Sequence, residues 1–241
     1  MLPERLDGAL CGVIDVLRAT TTIIISLANG AREVRPFSSA EEARPARGAA
    51  TGSWLLGGEE GGKRIQGFDL GNSPIKYTAQ VVKDKSILFA TTNGTPALKR
   101  TYAAGPHAVY VGALINVSVL SLKIADAALK LGATRIIFVC SGSCGKLSPE
   151  DFFCAGLAAE KVARRLLQSG AQPSLGDKAT ATVELATANQ ARPLEVLRSS
   201  PHGRYLLSLG FARDIEFASQ IDSFTLVPIF NGTSVVAGSI D

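Results

Sequence analysis

The sequence predicts an α/β fold: a mostly parallel sheet with helices on both faces, and a smaller C-terminal insert or lid. Two observations predict it. Short β-rich runs alternate with helical patterns from one end of the chain to the other, and this spacing is what parallel strands joined by crossover helices require. Polar and glycine-rich clusters fall directly after several of those runs, where open α/β sheets place their ligands. No repeat or low-complexity tract divides the chain, so residues 1–241 read as a single domain.

Strands are expected at 10–16, 33–36, 54–56, 86–90, 108–111, 135–139, 225–229 and 235–240. Helical patterns lie between them at 20–28, ended by Asn29 and Gly30, and at 39–47, 74–81 and 96–102. Two longer ones follow at 118–131, ended by Gly132, and at 149–168, ended by Gly170. Residues 171–201 differ: Gln172, Pro173 and Gly176 are loop-like, helices are expected at 177–187 and 193–198, and the segment reads as an insert or lid.

Composition narrows the function. A chain of 241 residues that is 46% hydrophobic and 19% charged can bury a substantial core. The apolar run GVIDVLRATTTIIISLANG is interrupted by Asp15, Arg18 and threonines, so no membrane span is expected. Glu4 and Asp7 stand where a signal peptide carries positive charge, which makes a cytoplasmic location the expectation. Four cysteines form no disulfide framework, and Cys140 and Cys144 lack the spacing of a zinc knuckle or redox pair. Two histidines, His107 and His202, each beside a proline, read as exposed loop residues and leave no basis for a histidine-rich metal centre. The net charge of +4 is scattered, with few aromatics to stack on bases; a small anionic ligand suits it better than nucleic acid. Homo-oligomerisation is left open.

Four clusters carry the chemistry. In VIDVLRATTTI an apolar strand runs into a helix start and carries Asp15 toward the interior, where a carboxylate needs a metal or an arginine such as Arg18. Thr20, Thr21 and Thr22 add hydroxyls and free amides, the makings of an anion site. In LLGGEEGGKRIQGFDLGNSP, glycines surround Glu59, Glu60 and Asp69; oxygens from separate segments are what magnesium prefers, while Asp69 and Asn72 could equally close turns. Ser73 and Pro74 suit a helix cap and first helical residue.

In ILFATTNGTPALKR, Asn93 and Gly94 form a hairpin-type pair, but the residues beyond look helical, so Thr92, Asn93 and Gly94 read as an amide cradle for an oxyanion. The run IIFVCSGSCGKLSPEDFFCAG repeats that logic with Ser141, Gly142 and Gly145, a cap at Ser148, and Glu150 and Asp151 either functional or simply favourable in a first turn. Cys140 could be an acidified nucleophile, but no arginine closes the loop after it, and packing is the expected role.

The ordered set VIDVLRATTTI, GGE, GFDLGNSP, TTNGT, CSG and SPEDFFCAG resembles the 2-phosphosulfolactate phosphatase family over nearly the whole chain. The resemblance implies a Mg2+-dependent phosphatase acting on a phosphorylated 2-hydroxy acid, with 2-phospho-3-sulfolactate as namesake substrate and a place in sulfolactate and coenzyme M metabolism. Glu60 stands where family members usually carry arginine, and the chain starts later than is usual, just before LPERL, which reads either as a missing first strand or as a misassigned start.

On this reading Asp15, Glu59 and Asp69 hold Mg2+, Arg18 forks onto phosphate or carboxylate, and Thr20 to Thr22, Asn72, Ser73, Thr92 to Gly94 and the Ser141, Gly142 and Gly145 loop receive the remaining oxygens. Lys63, Arg64, Lys76 and Lys146 are candidates for the distal acid groups. Asp15 or Asp69 would attack phosphorus or activate a water. The competing class is a module that binds a phosphorylated metabolite without hydrolysing it.

Overall fold

Two triplets of parallel strands, joined through an antiparallel hairpin, make up most of the sheet. The computed structural model describes residues 5–143 and 145–238. Its strands are β1 (Leu10–Ile14), β2 (Glu33–Phe37), β3 (Trp54–Glu60), β4 (Lys63–Arg64), β5 (Ser86–Ala90), β6 (Ala108–Gly112), β7 (Ile136–Cys140), β8 (Pro228–Phe230) and β9 (Val235–Ala237). The helices are α1 (Ala19–Ala28), α2 (Ala40–Ala49), α3 (Ala79–Val82), α4 (Gly94–Ala103), α5 (Val117–Leu131), α6 (Pro149–Gln168), α7 (Asp177–Asn189), α8 (Pro193–Ser199), α9 (Pro201–Ser208) and α10 (Ala212–Ala218).

The α/β class stands, but the sheet is mixed, in the order β4-β3-β5-β2-β9-β8-β6-β1-β7. β3, β5 and β2 are parallel, as are β6, β1 and β7, whereas β8 and β9 are antiparallel to each other and to the strands flanking them. The cause is local. Only residues 231–234 join β8 to β9, and so short a connection can pair strands only in opposite directions. Asn231 Oδ1 accepts from the amides of Thr233 and Ser234 and closes that turn. The strand expected at 225–229 begins only at Pro228, and the Leu226 carbonyl ahead of it accepts from Asn116 Nδ2 at 2.9 Å instead of from a neighbouring strand. The last residues of the strand expected at 235–240, like Cys144, lie outside the described residues.

Apolar patterning sets the layers. Val13, Val34, Ile87, Phe89, Val109 and Val111 share one cluster with Ile23 and Ile24 of α1 and with Ala97 and Leu98 of α4, so the sheet curves around these two helices. On the other face Leu120, Ile124 and Ala125 of α5 and Val162 of α6 cover Leu10 and Tyr110. Ala43 of α2 packs with Leu56 and Leu88. The helix expected at 74–81 breaks into a 3-10 turn at Pro74–Lys76 and α3, because Thr78 is extended.

Segment 171–201 holds α7 and α8, and helical packing continues through α9 and α10, which the sequence reading did not foresee. Leu197, Leu206 and Ile215 from α8, α9 and α10 join Ile14, Val16, Leu17 and Phe153 in a second buried cluster, above the end of β1. Among the described residues no helix is long and apolar enough to cross a membrane.

Candidate active site

The loops following β1, β3, β5 and β7 converge with the start of α9 on a cavity of about 420 Å³. Its lining carries Asp15, Glu59 and Glu150 as acids and Arg18, Lys146 and His202 as nitrogen bases, with Asn72, Thr92 and Asn93 between them.

Asp15 follows an all-buried strand and is 6% exposed. Its Oδ1 accepts from the Ala19 amide at 3.1 Å in the first turn of α1, and its own amide donates to Thr20 Oγ1 at 3.0 Å. Burial raises its pKa from 3.8 to about 7, helped by the charges of Glu59 and Glu150 and opposed by the Ala19 amide and Arg18. Asp15 Oδ2 lies against Gly94, where an added Cβ would sit 2.7 Å from that oxygen and 2.5 Å from the Ala19 methyl. Glycine at 94 is what lets the β5–α4 turn close onto Asp15.

Glu59 is delivered by a similar device. At Gly58 φ is +140°, and a Cβ there would lie 1.9 Å from the Ala90 carbonyl oxygen, so only glycine carries β3 past β5 at this point. Glu59 then accepts from the Gly62 amide at 2.7 Å and the Thr92 amide at 2.9 Å, tying two loops together. Glu150 stands in the first turn of α6, 1% exposed, and its Oε2 has no hydrogen-bond partner. Asn72 Oδ1 is likewise buried and unpaired. Both residues line the cavity, and since unpaired buried oxygens are costly to keep dry, a cation or donor reaching them from the cavity would satisfy them.

Asp151, beside Glu150, faces elsewhere. Its two oxygens accept from Val16 N at 2.8 Å and Gly142 N at 3.2 Å, pinning the end of β1 to the β7–α6 loop. Burial, with Asp15 and Glu150 nearby, pushes its pKa well above the usual carboxylate range.

Several expected roles move. The anticipated Asp15–Arg18 pair does not form: Arg18 Nη1 bonds Asp214 Oδ2 at 2.7 Å, its Nη2 donates to the Gly62 carbonyl at 2.6 Å, and its guanidinium lies 4.1 Å over the Phe211 ring. Arg18 still lines the cavity, with both terminal nitrogens engaged by protein. The Thr20, Thr21 and Thr22 hydroxyls donate to the carbonyls of Asp15, Val16 and Asn72, and none of the three lines the cavity. Ser73 Oγ bonds Asp214 Oδ1 at 2.7 Å instead of capping a helix, and Ser148 makes no side-chain cap bond.

Asp69 stands outside the lining, its Oδ2 accepting from Leu56 N at 2.8 Å. Thr92 and Asn93 are in the lining. Ser141, Gly142 and Gly145 are not, whereas Ser143 and Lys146 from the same loop are. Lys63, Arg64, Lys76 and Glu60 also fall outside it. Cys140 is held as a thiol, its pKa raised by burial and by Asp151 and Glu150, in keeping with packing.

Three contributors escaped the sequence reading. His202 is no exposed loop residue: it sits in the first turn of α9 and lines the cavity. Burial lowers its pKa, with Glu150 and Glu59 pulling the other way and a hydrogen bond to the Leu17 backbone. Tyr205, one turn on, donates to the Gly61 carbonyl at 3.0 Å. A signal was present, since Ser200 accepts from Gly203 N and Pro201 occupies the first helical position, an ordinary helix start. Asp214 carried no such signal; it lies in the first turn of α10, an ordinary place for an acid, and matters through partners far away in sequence.

As to a metal, no three or more His, Cys, Asp or Glu side chains among the described residues form a ready-made cluster. The cavity instead offers hard oxygens from separate loops, two of them unpaired.

The family model described as 2-phosphosulpholactate phosphatase matches residues 3–233. A protein named probable 2-phosphosulfolactate phosphatase in Carboxydothermus hydrogenoformans is 40% identical over 94% of this chain and 89% of its own length. Proteins of the same name in Symbiobacterium thermophilum and Deinococcus radiodurans are 38% and 35% identical, over 97% and 100% of this chain and 96% and 95% of theirs.

Proposed function

The chain belongs to the 2-phosphosulfolactate phosphatase family, and on that premise we propose that it is a phosphoric monoester hydrolase whose substrate is 2-phospho-3-sulfolactate, released as 3-sulfolactate and phosphate with the help of Mg2+. The single observation that carries the reading is the cavity where Asp15, Glu59 and Glu150 meet, with Glu150 Oε2 buried and unpaired. A module that merely bound a phosphorylated anion would gain nothing from three carboxylates facing it.

The donor set fits magnesium, which takes one or two carboxylates and completes its shell with waters and phosphate oxygens, so no preformed three-acid cluster is needed. One or two of Asp15, Glu59 and Glu150, with Asn72 Oδ1, would hold it. When bound, it supplies charge neutralisation at the phosphoryl oxygens. The chain's own residues do the rest. The Arg18–Asp214 pair fixes Gly62 and, through the Gly62 amide, Glu59. Asp15, which a cation beside it would hold ionised, is the base for an attacking water. The water's oxygen bonds phosphorus as the bond to the ester oxygen breaks; Asp15 takes the water's proton and passes it to the departing alkoxide, which restores the carboxylate.

The test is phosphate release from 2-phospho-3-sulfolactate and a panel of phosphorylated 2-hydroxy acids, with Mg2+ and with chelator. Release that requires Mg2+ is the expected result. Tight binding without release would make the protein a sensor, and release undiminished by chelator would remove the metal. A trapped phosphoenzyme labelled at Asp15 would replace the water by direct carboxylate attack.

A further inference from the structure

Resting on the phosphatase reading, we infer that Lys146 is the residue that selects the sulfonate arm of the substrate. A substrate bearing phosphate, carboxylate and sulfonate needs more positive charge than a metal beside the phosphate supplies, and the cavity wall has little to spare. Arg18 is 2% exposed and spends both terminal nitrogens on Asp214 and Gly62. His202 hydrogen-bonds the Leu17 backbone. Of the four outlying cations suggested by the sequence, Lys63, Arg64 and Lys76 fall outside the lining.

Lys146 is in it, exposed, and no carboxylate lies within 4.0 Å of its ammonium among the described residues. Its backbone pairs with that of Ser143: Ser143 N donates to Lys146 O at 3.0 Å and Lys146 N returns the bond to Ser143 O at 2.9 Å. At Gly142, φ is +72° and a Cβ would lie 2.6 Å from the Lys146 carbonyl oxygen, so glycine is needed for this tight turn.

Position and chemistry then assign the arm. Asp15, Glu59, Glu150 and Asn72 fill the acid-lined part of the cavity, where a cation and the phosphate sit on the reading above. Lys146 lies on the β7–α6 loop beside Leu147, which is 77% exposed. A sulfonate is a weak base whose charge is spread over three oxygens. It gains little from a planar fork and suits a hydrated, rotatable ammonium at an open edge. A carboxylate, the harder base, competes better for the metal end.

The experiment compares kcat/KM for 2-phospho-3-sulfolactate with that for 2-phospholactate, which has a methyl group in place of the sulfomethyl arm, in wild type, Lys146→Ala and Lys146→Arg. Lys146→Ala is expected to lower the ratio of the two roughly threefold to fivefold, chiefly through KM, as loss of one partly solvated charge contact does. Lys146→Arg should restore most of it. Inhibition by 3-sulfolactate against lactate gives the same ratio if the shorter ester is not turned over. An unchanged ratio in Lys146→Ala, with circular dichroism intact, overturns the assignment; a wild type that releases no phosphate from either ester overturns the phosphatase reading instead.

Discussion

Arg18 Nη1 lies 2.7 Å from Asp214 Oδ2, and both side chains are 2% exposed. The pair joins the first helix to the last across 196 residues of sequence. Asp214 also receives Ser73, and Arg18 holds Gly62. One buried ion pair thus ties three loops of the cavity together.

Removing half of that pair should be costly. Asp214→Ala leaves a guanidinium in a dry site, and such losses run to about 3–5 kcal/mol. Arg18→Met combined with Asp214→Ala should cost less than the sum of the singles, because the second change removes the stranded charge. Urea unfolding of the four proteins measures it. Strict additivity would mean that the pair does not interact.

The carboxylates divide sharply. Asp69→Asn should keep kcat/KM within about threefold of wild type, since its oxygen serves Leu56 N and an amide oxygen can accept the same bond. Glu150→Gln should lower it by roughly a hundredfold or more, by removing a buried charge from the cavity wall. Initial rates of phosphate release decide, and the reverse ranking would return Asp69 to the chemistry.

What was legible in the sequence follows from how local each signal is. Strand β5 and helix α6 were read to the residue because their apolar periods and flanking Gly, Ser and Pro are self-contained. Asp15 and Glu59 were legible because glycine and threonine mark the turns around them. Asp69 looked like their equal, since GFDLGNSP surrounds it with the same glycines, but its direction depends on the isolated Gly57–Leu70 bridge, a tertiary feature. The threonines of α1 misled for a related reason: free hydroxyls at a helix start predict an anion site only if the backbone carbonyls before them are already satisfied. Here the Val16 carbonyl takes the Thr21 hydroxyl, and the Asp15 carbonyl takes the Thr20 hydroxyl as a second donor beside the Thr20 amide. The roles of Asp214 and His202 depend on α9 and α10 folding back over β1, which no local pattern encodes.

The same threonines give a direct test. Thr21→Val keeps the shape and removes one hydroxyl that serves the Val16 carbonyl. It should cost about 1 kcal/mol of stability, or somewhat more if that carbonyl stays dry, with KM unchanged within error. Thermal unfolding and steady-state kinetics read the two quantities. A rise in KM without a stability loss would put the hydroxyl back at the substrate.

Asp15 makes stability depend on pH in a direction opposite to that of a salt-bridged aspartate. Its pKa in the fold is about 7 against an ordinary 3.8, so between these values the native protein keeps a proton that the unfolded chain has released. The native state is then the better proton binder, and raising the pH across that window weakens it, by up to about 1.4 kcal/mol per pH unit for one such group. The stabilisation is fully present below the lower value and gone above the upper one. Asp151, raised by burial, adds a slope of the same sign. His202, lowered by burial, adds one of opposite sign, and both persist when Asp15 alone is changed. Asp15→Asn, which has no proton to lose, should therefore flatten the decline of the urea midpoint between about pH 4 and 7 in chelator, while abolishing phosphate release and leaving the circular dichroism unchanged. Added Mg2+ should recover wild-type stability most at the alkaline end, where the carboxylates it would meet are charged, and should do little for the variant. Parallel slopes for the two proteins would show that Asp15 ionises as an ordinary surface acid, and activity within a fewfold of wild type would take it out of the reaction.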